Sequence, residues 1–277
     1  MSDSERVLVI EAGSAQRHYW ADLWRYRELF AVLAWRDVVV RYKQTVVGIV
    51  WAILRPLITI AIFTVVFGML AKLPSEGKTP YSLLVFVGML PWFLFSNVVS
   101  EASNSLIGNA SLISKVYFPR LVLPAASSAV ALVDFGVNLI FLFGIMAWYG
   151  ISPGIHVVLL PLFVCIAIFV SLGPALLITA LNLKYRDFRY IVPFGLQLGL
   201  YVSPVGFASS ALPENWRIWY SLNPMVSVID GFRWCLLAGE SQLYLPGFFL
   251  SLAVGAFIFC FSLLYFRRTE KSFADLI

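Results

Sequence analysis

Hydrophobic and polar positions alternate along this chain on a coarse scale. Long apolar runs cover 46–71, 81–100, 121–149, 157–181, 190–207 and 244–266, and short polar stretches divide them. Only the chain before residue 46 shows a helical period instead. Between Tyr19 and Lys43, at 100° per residue, Trp20, Trp24, Ala31, Ala34, Trp35, Val38 and Tyr42 fall on one stripe, with Asp22, Arg25, Arg36 and Lys43 opposite. Three tryptophans on the apolar side and basic residues on the other predict an amphipathic helix lying in a membrane interface, with Trp24, Trp35, Arg36, Arg41 and Lys43 as its anchors. The alternative, a helix packed on a cytosolic domain, lacks a domain to pack on.

Each run is long enough to be weighed as a membrane span. Residues 46–71 extend over about 39 Å at ~1.5 Å per residue, enough to cross with tilt. Arg55-Pro56 interrupts them a third of the way along. The second span carries Pro91-Trp92, and the polar run Glu101–Arg120 follows it. The third carries Asp134 and Asn138, and the short Gly150–His156 loop separates it from the fourth. The fifth, 190–207, is short. Residues 208–243 are too long for a turn and too interrupted for a span, with Pro213, Asn223-Pro224, Asp230-Gly231, Arg233 and Gly239-Glu240. They read as two short helices that dip into the outer leaflet and turn back, a backbone tolerated only under a cover of protein or water. The prediction is an all-α integral membrane protein: six transmembrane helices, an amphipathic interfacial helix in 1–45, and a re-entrant external segment before the last helix, with 46–277 as one membrane domain.

Composition supports this class. The chain is 60% hydrophobic and 13% charged with mean hydropathy +0.85, against about 25% charged in soluble domains. The net charge of +5 resides mostly in short connections, which excludes nucleic acid as the first explanation. Fifteen Lys and Arg lie on the side shared by the termini and four, at 72, 78, 217 and 233, on the other, which predicts cytoplasmic termini. The polar start, with Asp3, Glu5 and Glu11, predicts no cleavable signal peptide. Cys165, Cys235 and Cys260 form no CxxC pair, and with His18 and His156 they make neither a zinc site nor a disulfide framework.

Catalytic and nucleotide-binding motifs are absent. Neither HExxH nor GxSxG occurs. Gly77-Lys78-Thr79 ends like a P-loop, but position 72, where that motif begins with glycine, is lysine. ATP-driven work would therefore need a separate subunit. Glu101, Asp134 and Asp230 lie in different segments and make no evident pair. Arg55 has two readings, snorkelling to the cytoplasmic interface or facing a channel mouth to hold a phosphate. Glu101–Arg120 carries Leu106, Leu112, Ile113, Val116 and Tyr117, an apolar side in want of a partner.

Four segments in order carry a resemblance. They are Arg36-Asp37 with Arg41-Tyr42-Lys43-Gln44-Thr45, Gly48 and Trp51 to Pro56; Asn109 to Pro124; Lys184-Tyr185-Arg186-Asp187; and Asn223-Pro224-Met225. With the order of elements, they resemble the permease subunits of bacterial ABC-2-type exporters of polysaccharides and polyol phosphates, the Wzm, KpsM and TagG group. The resemblance implies a multi-pass protein of the bacterial inner membrane, a second copy of the chain, and a dimeric P-loop ATPase partner that binds the ATP and Mg. It implies no cofactor in this chain and a lipid-linked polysaccharide substrate of O-antigen or capsule type. Teichoic acid is the alternative within the group, and a membrane-bound glycan-assembly transferase the alternative outside it. The loop after the second span would couple to the ATPase through Asn109, Leu112, Ile113, Lys115, Tyr117, Phe118 and Arg120. Aromatic rings stack on sugar faces, so Trp51, Trp92, Phe93, Tyr201, Trp216, Trp219 and Tyr220, with Arg55, are candidates for the substrate channel. For any single tryptophan among them, an ordinary aromatic belt is the simpler explanation.

Overall fold

The computed structural model describes residues 19–43, 46–75, 77, 79–185, 187–237, 241–270 and 273. The polar N-terminus 1–18, Gln44-Thr45, Lys78, Arg186 and Gly239-Glu240 lie outside the described residues. Among the described residues every regular element is helical: α1 (Tyr19–Arg25), α2 (Arg27–Lys43), α3 (Val46–Phe63), α4 (Tyr81–Gly108), α5 (Ala110–Ile113), α6 (Val122–Trp148), α7 (Leu160–Lys184), α8 (Phe188–Val202), α9 (Glu214–Tyr220), α10 (Pro224–Leu236) and α11 (Leu245–Thr269). A π-helical stretch, Thr64–Leu70, prolongs α3, and a 3₁₀ turn, Ile155–Leu159, leads into α7.

Five of these helical segments are long and apolar enough to cross a membrane: Ile53–Leu70, α4, α6, the run Ile155–Lys184, and α11. Of these, α4 is the axis of the fold. Its apolar window is 72% buried inside the protein, against 17% for Ile53–Leu70. It packs along α6 and α7, and α11 closes over α7. Gly173 lets the α11 backbone approach, since a Cβ there would stand 3.1 Å from Phe259 N.

The place of the fifth predicted span is taken by α8. At 15 residues it measures about 22 Å, short of a ~30 Å hydrocarbon core. Ser203-Pro204 follows its end, where proline removes a donor and turns the residue before it out of the helical region. Residues 208–236 form a 3₁₀ turn and the two short helices α9 and α10. Asn223 accepts a hydrogen bond from Met225 N at 3.0 Å and Pro224 occupies the first turn, so the Asn-Pro-Met motif is a helix start.

Two findings revise the sequence reading. The second span does not end near Ser100: α4 continues through Gly108, because Ala102, Ser103, Ser105 and Leu106 are buried and polar partners sit on α7. Thr179 Oγ1 donates to Ala102 O at 2.9 Å, and Asn182 Nδ2 to Ser103 O at 2.8 Å. Beside it, α2 does not stand apart from the bundle. Leu33 is buried with Val122, Leu123 and Ala126 of α6, while Trp20, Trp24 and Trp35 are exposed. The tryptophans of the predicted stripe face away from the protein, but Ala34 and Tyr42 of the same stripe turn inward, and Leu29 and Leu33 pack on the core.

Candidate functional site

Residues four apart share a helix face. Trp51 and Arg55 do so on α3, and Phe93 and Asn97 on α4. With Arg41, Pro56, Asp134 and Asn138 they line an open cavity of about 420 Å³. Three of the predicted channel residues, Trp51, Arg55 and Phe93, are thus brought together. The others are not. Trp92 is buried and turns toward a separate hollow with α7 and α8. Tyr201 stacks on Phe63 with centroids 6.0 Å apart. Trp216 and Trp219 are exposed on α9, and the Tyr220 hydroxyl donates to Val202 O at 2.5 Å.

The cavity's polar wall is a network that the sequence reading missed. Glu101 and Asp134, which show no evident partner in the sequence, share one arginine. Arg41 Nη1 lies 2.5 Å from Glu101 Oε1, and Nη2 lies 3.0 Å from Asp134 Oδ2. Tyr42 OH donates to Asp134 Oδ1, and Asn97 Nδ2 to Oδ2 at 3.4 Å. Burial, reinforced by the bond to Asp134, pushes the Tyr42 phenol up, so it stays a donor at any physiological pH. A signal existed in the sequence: a carboxylate in the middle of an apolar span must be partnered. Its partners lie 37 to 93 residues away on α2 and α4, a pairing that no local pattern reveals.

The predicted coupling segment is built partly inward. Leu106 and Ile113 are buried in the protein's own core beside Phe118, so part of the apolar side that seemed to need a partner is covered from within. Asn109 accepts from Arg36 Nη2 at 2.8 Å and donates to Ser105 O at 2.8 Å. Arg120 N donates to Glu270 Oε1 at 2.8 Å, and Arg120 Nη1 donates to Glu270 O. Burial raises the Glu270 carboxyl against the opposing pull of Arg120 and Arg267. Leu112 is half-buried. Lys115, Val116 and Tyr117 remain outward, with Tyr117 half exposed and its carbonyl accepting from Tyr26 OH at 3.1 Å.

Of the predicted interfacial anchors, Trp24 and Trp35 are exposed, Arg36 lies against Asp37 and Asn109, Arg41 holds the cavity network, and Lys43 is exposed. The grips of Arg36 on Asn109 and of Arg41 on Glu101 run α2 antiparallel to the last turns of α4, while α2 packs along α6. A fully buried cation lies elsewhere, hidden from the sequence pattern. Arg233, counted there as an external charge, is 0% exposed within α10 and donates to Phe207 O at 2.9 Å and Val205 O at 3.0 Å. One turn earlier, Asp230 accepts from Ser209 Oγ at 2.5 Å. Among the described residues no cluster of His, Cys, Asp or Glu is arranged to hold a metal.

Comparison with known proteins fits this architecture. The chain is 28% identical over 258 residues to an O-antigen export system permease protein RfbA of Klebsiella pneumoniae, covering 90% of this chain and 95% of the relative. It is 31% identical over 214 residues to an O-antigen export system permease protein RfbA of Myxococcus xanthus, covering 76% and 81%. A polysialic acid transport protein KpsM of Escherichia coli is 20% identical over 210 residues, covering 74% and 79%. The model of the ABC-2 type transporter family matches residues 28–237, from the second residue of α2 to the end of α10, and the chain belongs to that family.

Proposed function

We propose that this chain is the permease subunit of an ATP-driven exporter of a lipid-linked polysaccharide, of O-antigen or capsule type, in a bacterial inner membrane. It works as a homodimer on a separate P-loop ATPase dimer that binds the ATP and Mg. The observation that carries this reading is the match along 95% of a permease named for O-antigen export. The relatives named for polysialic acid transport support the capsule variant. The thinly covered faces of α3 and α8, with Ile58, Ile62, Phe194 and Leu198 exposed, suit a second copy or lipid.

In the membrane, α8 with the irregular stretch 203–207 makes the fifth of six crossings, and α9–α10 re-enter from outside before α11 returns to the cytoplasm. Such irregular backbone is supported where protein supplies its hydrogen bonds. Here Arg233 serves the carbonyls of Val205 and Phe207, and Tyr81 OH donates to Gly206 O. The exposed α1–α2 tryptophans sit in the cytoplasmic interface. Single cysteines placed at the exposed Ser210 and Gln242 should react with an impermeant thiol reagent from the same, external side. Labelling from opposite sides would add a span and reverse the C-terminus.

Coupling to the ATPase runs through the outward part of the segment after α4. Tyr117 is its one half-exposed ring, and binding energy at interfaces concentrates in such anchors. Tyr117→Ala should cut co-purification of the ATPase about tenfold or more, a hot-spot loss, and stop export with membrane insertion intact. The wild-type complex should carry the glycan-bearing lipid, identified by mass spectrometry. A mutant that retains the ATPase and exports normally ends the coupling role. A wild-type permease that captures neither ATPase nor lipid ends the export reading.

A further inference from the structure

Within the cavity beside α3 the charges are unevenly matched. Arg41 is held by two carboxylates, Glu101 and Asp134. Asp134 in turn has both oxygens engaged, Oδ1 by Tyr42 and Oδ2 by Arg41 and Asn97. No carboxylate therefore remains for Arg55, which lines the same cavity and lies within 4.0 Å of no acidic side chain among the described residues. A guanidinium at the edge of an apolar span, facing a hollow rather than a partner, needs water or an incoming anion.

The walls narrow the class of anion. Trp51, one turn before Arg55, and Phe93 across the cavity offer ring faces, and Asn97 adds an amide. Rings that accept the apolar face of a sugar, beside a planar fork of donors that matches phosphate oxygens, fit a sugar bearing a phosphate ester. An open cavity of about 420 Å³ accommodates one such unit. From this juxtaposition we infer that the cavity binds a sugar-phosphate unit, Arg55 taking the phosphate and Trp51 the sugar ring. The inference rests on the export reading, since it places there the phosphorylated end of the transported glycan.

The site is tested on the full-length chain in nanodiscs, with and without its ATPase. The probes are inorganic phosphate, a soluble hexose 1-phosphate, the unphosphorylated hexose, and the same hexose joined through phosphate to a polyprenol. The hexose 1-phosphate should bind and the free hexose should not. Arg55→Gln should weaken binding about 10- to 100-fold, the loss of charge-assisted hydrogen bonds, and Arg55→Lys should recover part of it. Trp51→Leu should weaken the hexose 1-phosphate and leave inorganic phosphate unchanged. Because Arg55 holds no carboxylate in the protein, Arg55→Gln should keep the wild-type thermal midpoint, which separates a lost ligand from a lost fold.

Dependence of the polyprenyl probe on Arg55 identifies the lipid-linked end as the source, and dependence of the soluble probe alone identifies a free sugar phosphate. Equal binding by wild type and Arg55→Gln, or binding that ignores Trp51, overturns the site. Unaltered export in Arg55→Gln overturns the site and leaves the export reading standing. Arg55-dependent binding in a permease that exports nothing does the reverse.

Discussion

Arg233→Ala should destabilise this protein by about 3–5 kcal/mol, since about 1–3 kcal/mol is lost for each buried carbonyl left unsatisfied. The side chain is fully buried in α10 and donates to two carbonyls of the unwound stretch after α8. Alanine takes away both donors and leaves a void the size of a guanidinium. Arg233→Met fills most of the volume without donors and should cost about 2–3 kcal/mol, isolating the hydrogen-bond share. Thermal unfolding of the purified variants in one detergent measures both. Gly88 gives an internal check. A Cβ there would lie 2.8 Å from Arg233 Nη2 and 3.0 Å from Val205 O. Gly88→Ala should therefore be destabilising alone and closer to neutral beside Arg233→Ala, a departure from additivity expected of touching residues. A stable Arg233→Ala protein would mean that the stretch 203–208 is held by something else.

The second large effect concerns Asp134. Asp134→Ala strips the acceptor from Tyr42, Asn97 and one arm of Arg41, while Glu101 keeps the other arm. Arg41 is part exposed, so water softens the loss, and about 2–3 kcal/mol is expected rather than the full cost of a buried orphan charge. The damage should be local. The C-terminal end of α2 should loosen, raising amide exchange there while α4 and α7 stay protected. A cycle with Tyr42→Phe should return a coupling of about 1 kcal/mol or more. Uniform loss of protection across the bundle would show instead that Asp134 supports the core and not the docking of α2.

Much of this architecture is legible in the sequence because the bilayer demands long apolar helices. The runs that became α3, α4, α6, α7 and α11 can be read directly, whereas Asn223-Pro224, an interruption in the sequence pattern, proves to be the start of α10. What escaped reading is tertiary. Polarity placed Glu101–Gly108 in a loop, yet α7 supplies partners that keep it helical. A count of charges put Arg233 outside, since a lone arginine between short helices looks like surface until its acceptors are known. The cavity shows the same mixture. Trp51, Arg55 and Phe93 were nominated by chemistry, but Asp134, Glu101 and Arg41 meet only after α2 has docked.

The burial of α10 also constrains the order in which the protein is made. Its 13 residues hold Asp230 and Arg233 and pack against α4, α7 and α11. Three of its neighbours' surfaces are required, and one of them, α11, emerges from the ribosome after it. Until then a segment with two ionisable side chains has no complete shelter, and lipid is a poor substitute. The central packing of this permease is thus a post-insertion event, dependent on synthesis reaching the C-terminal helix. A nascent chain arrested before residue 245 would hold α3, α4, α6 and α7 in the membrane with α10 undocked, and quality-control proteases would meet it in that state.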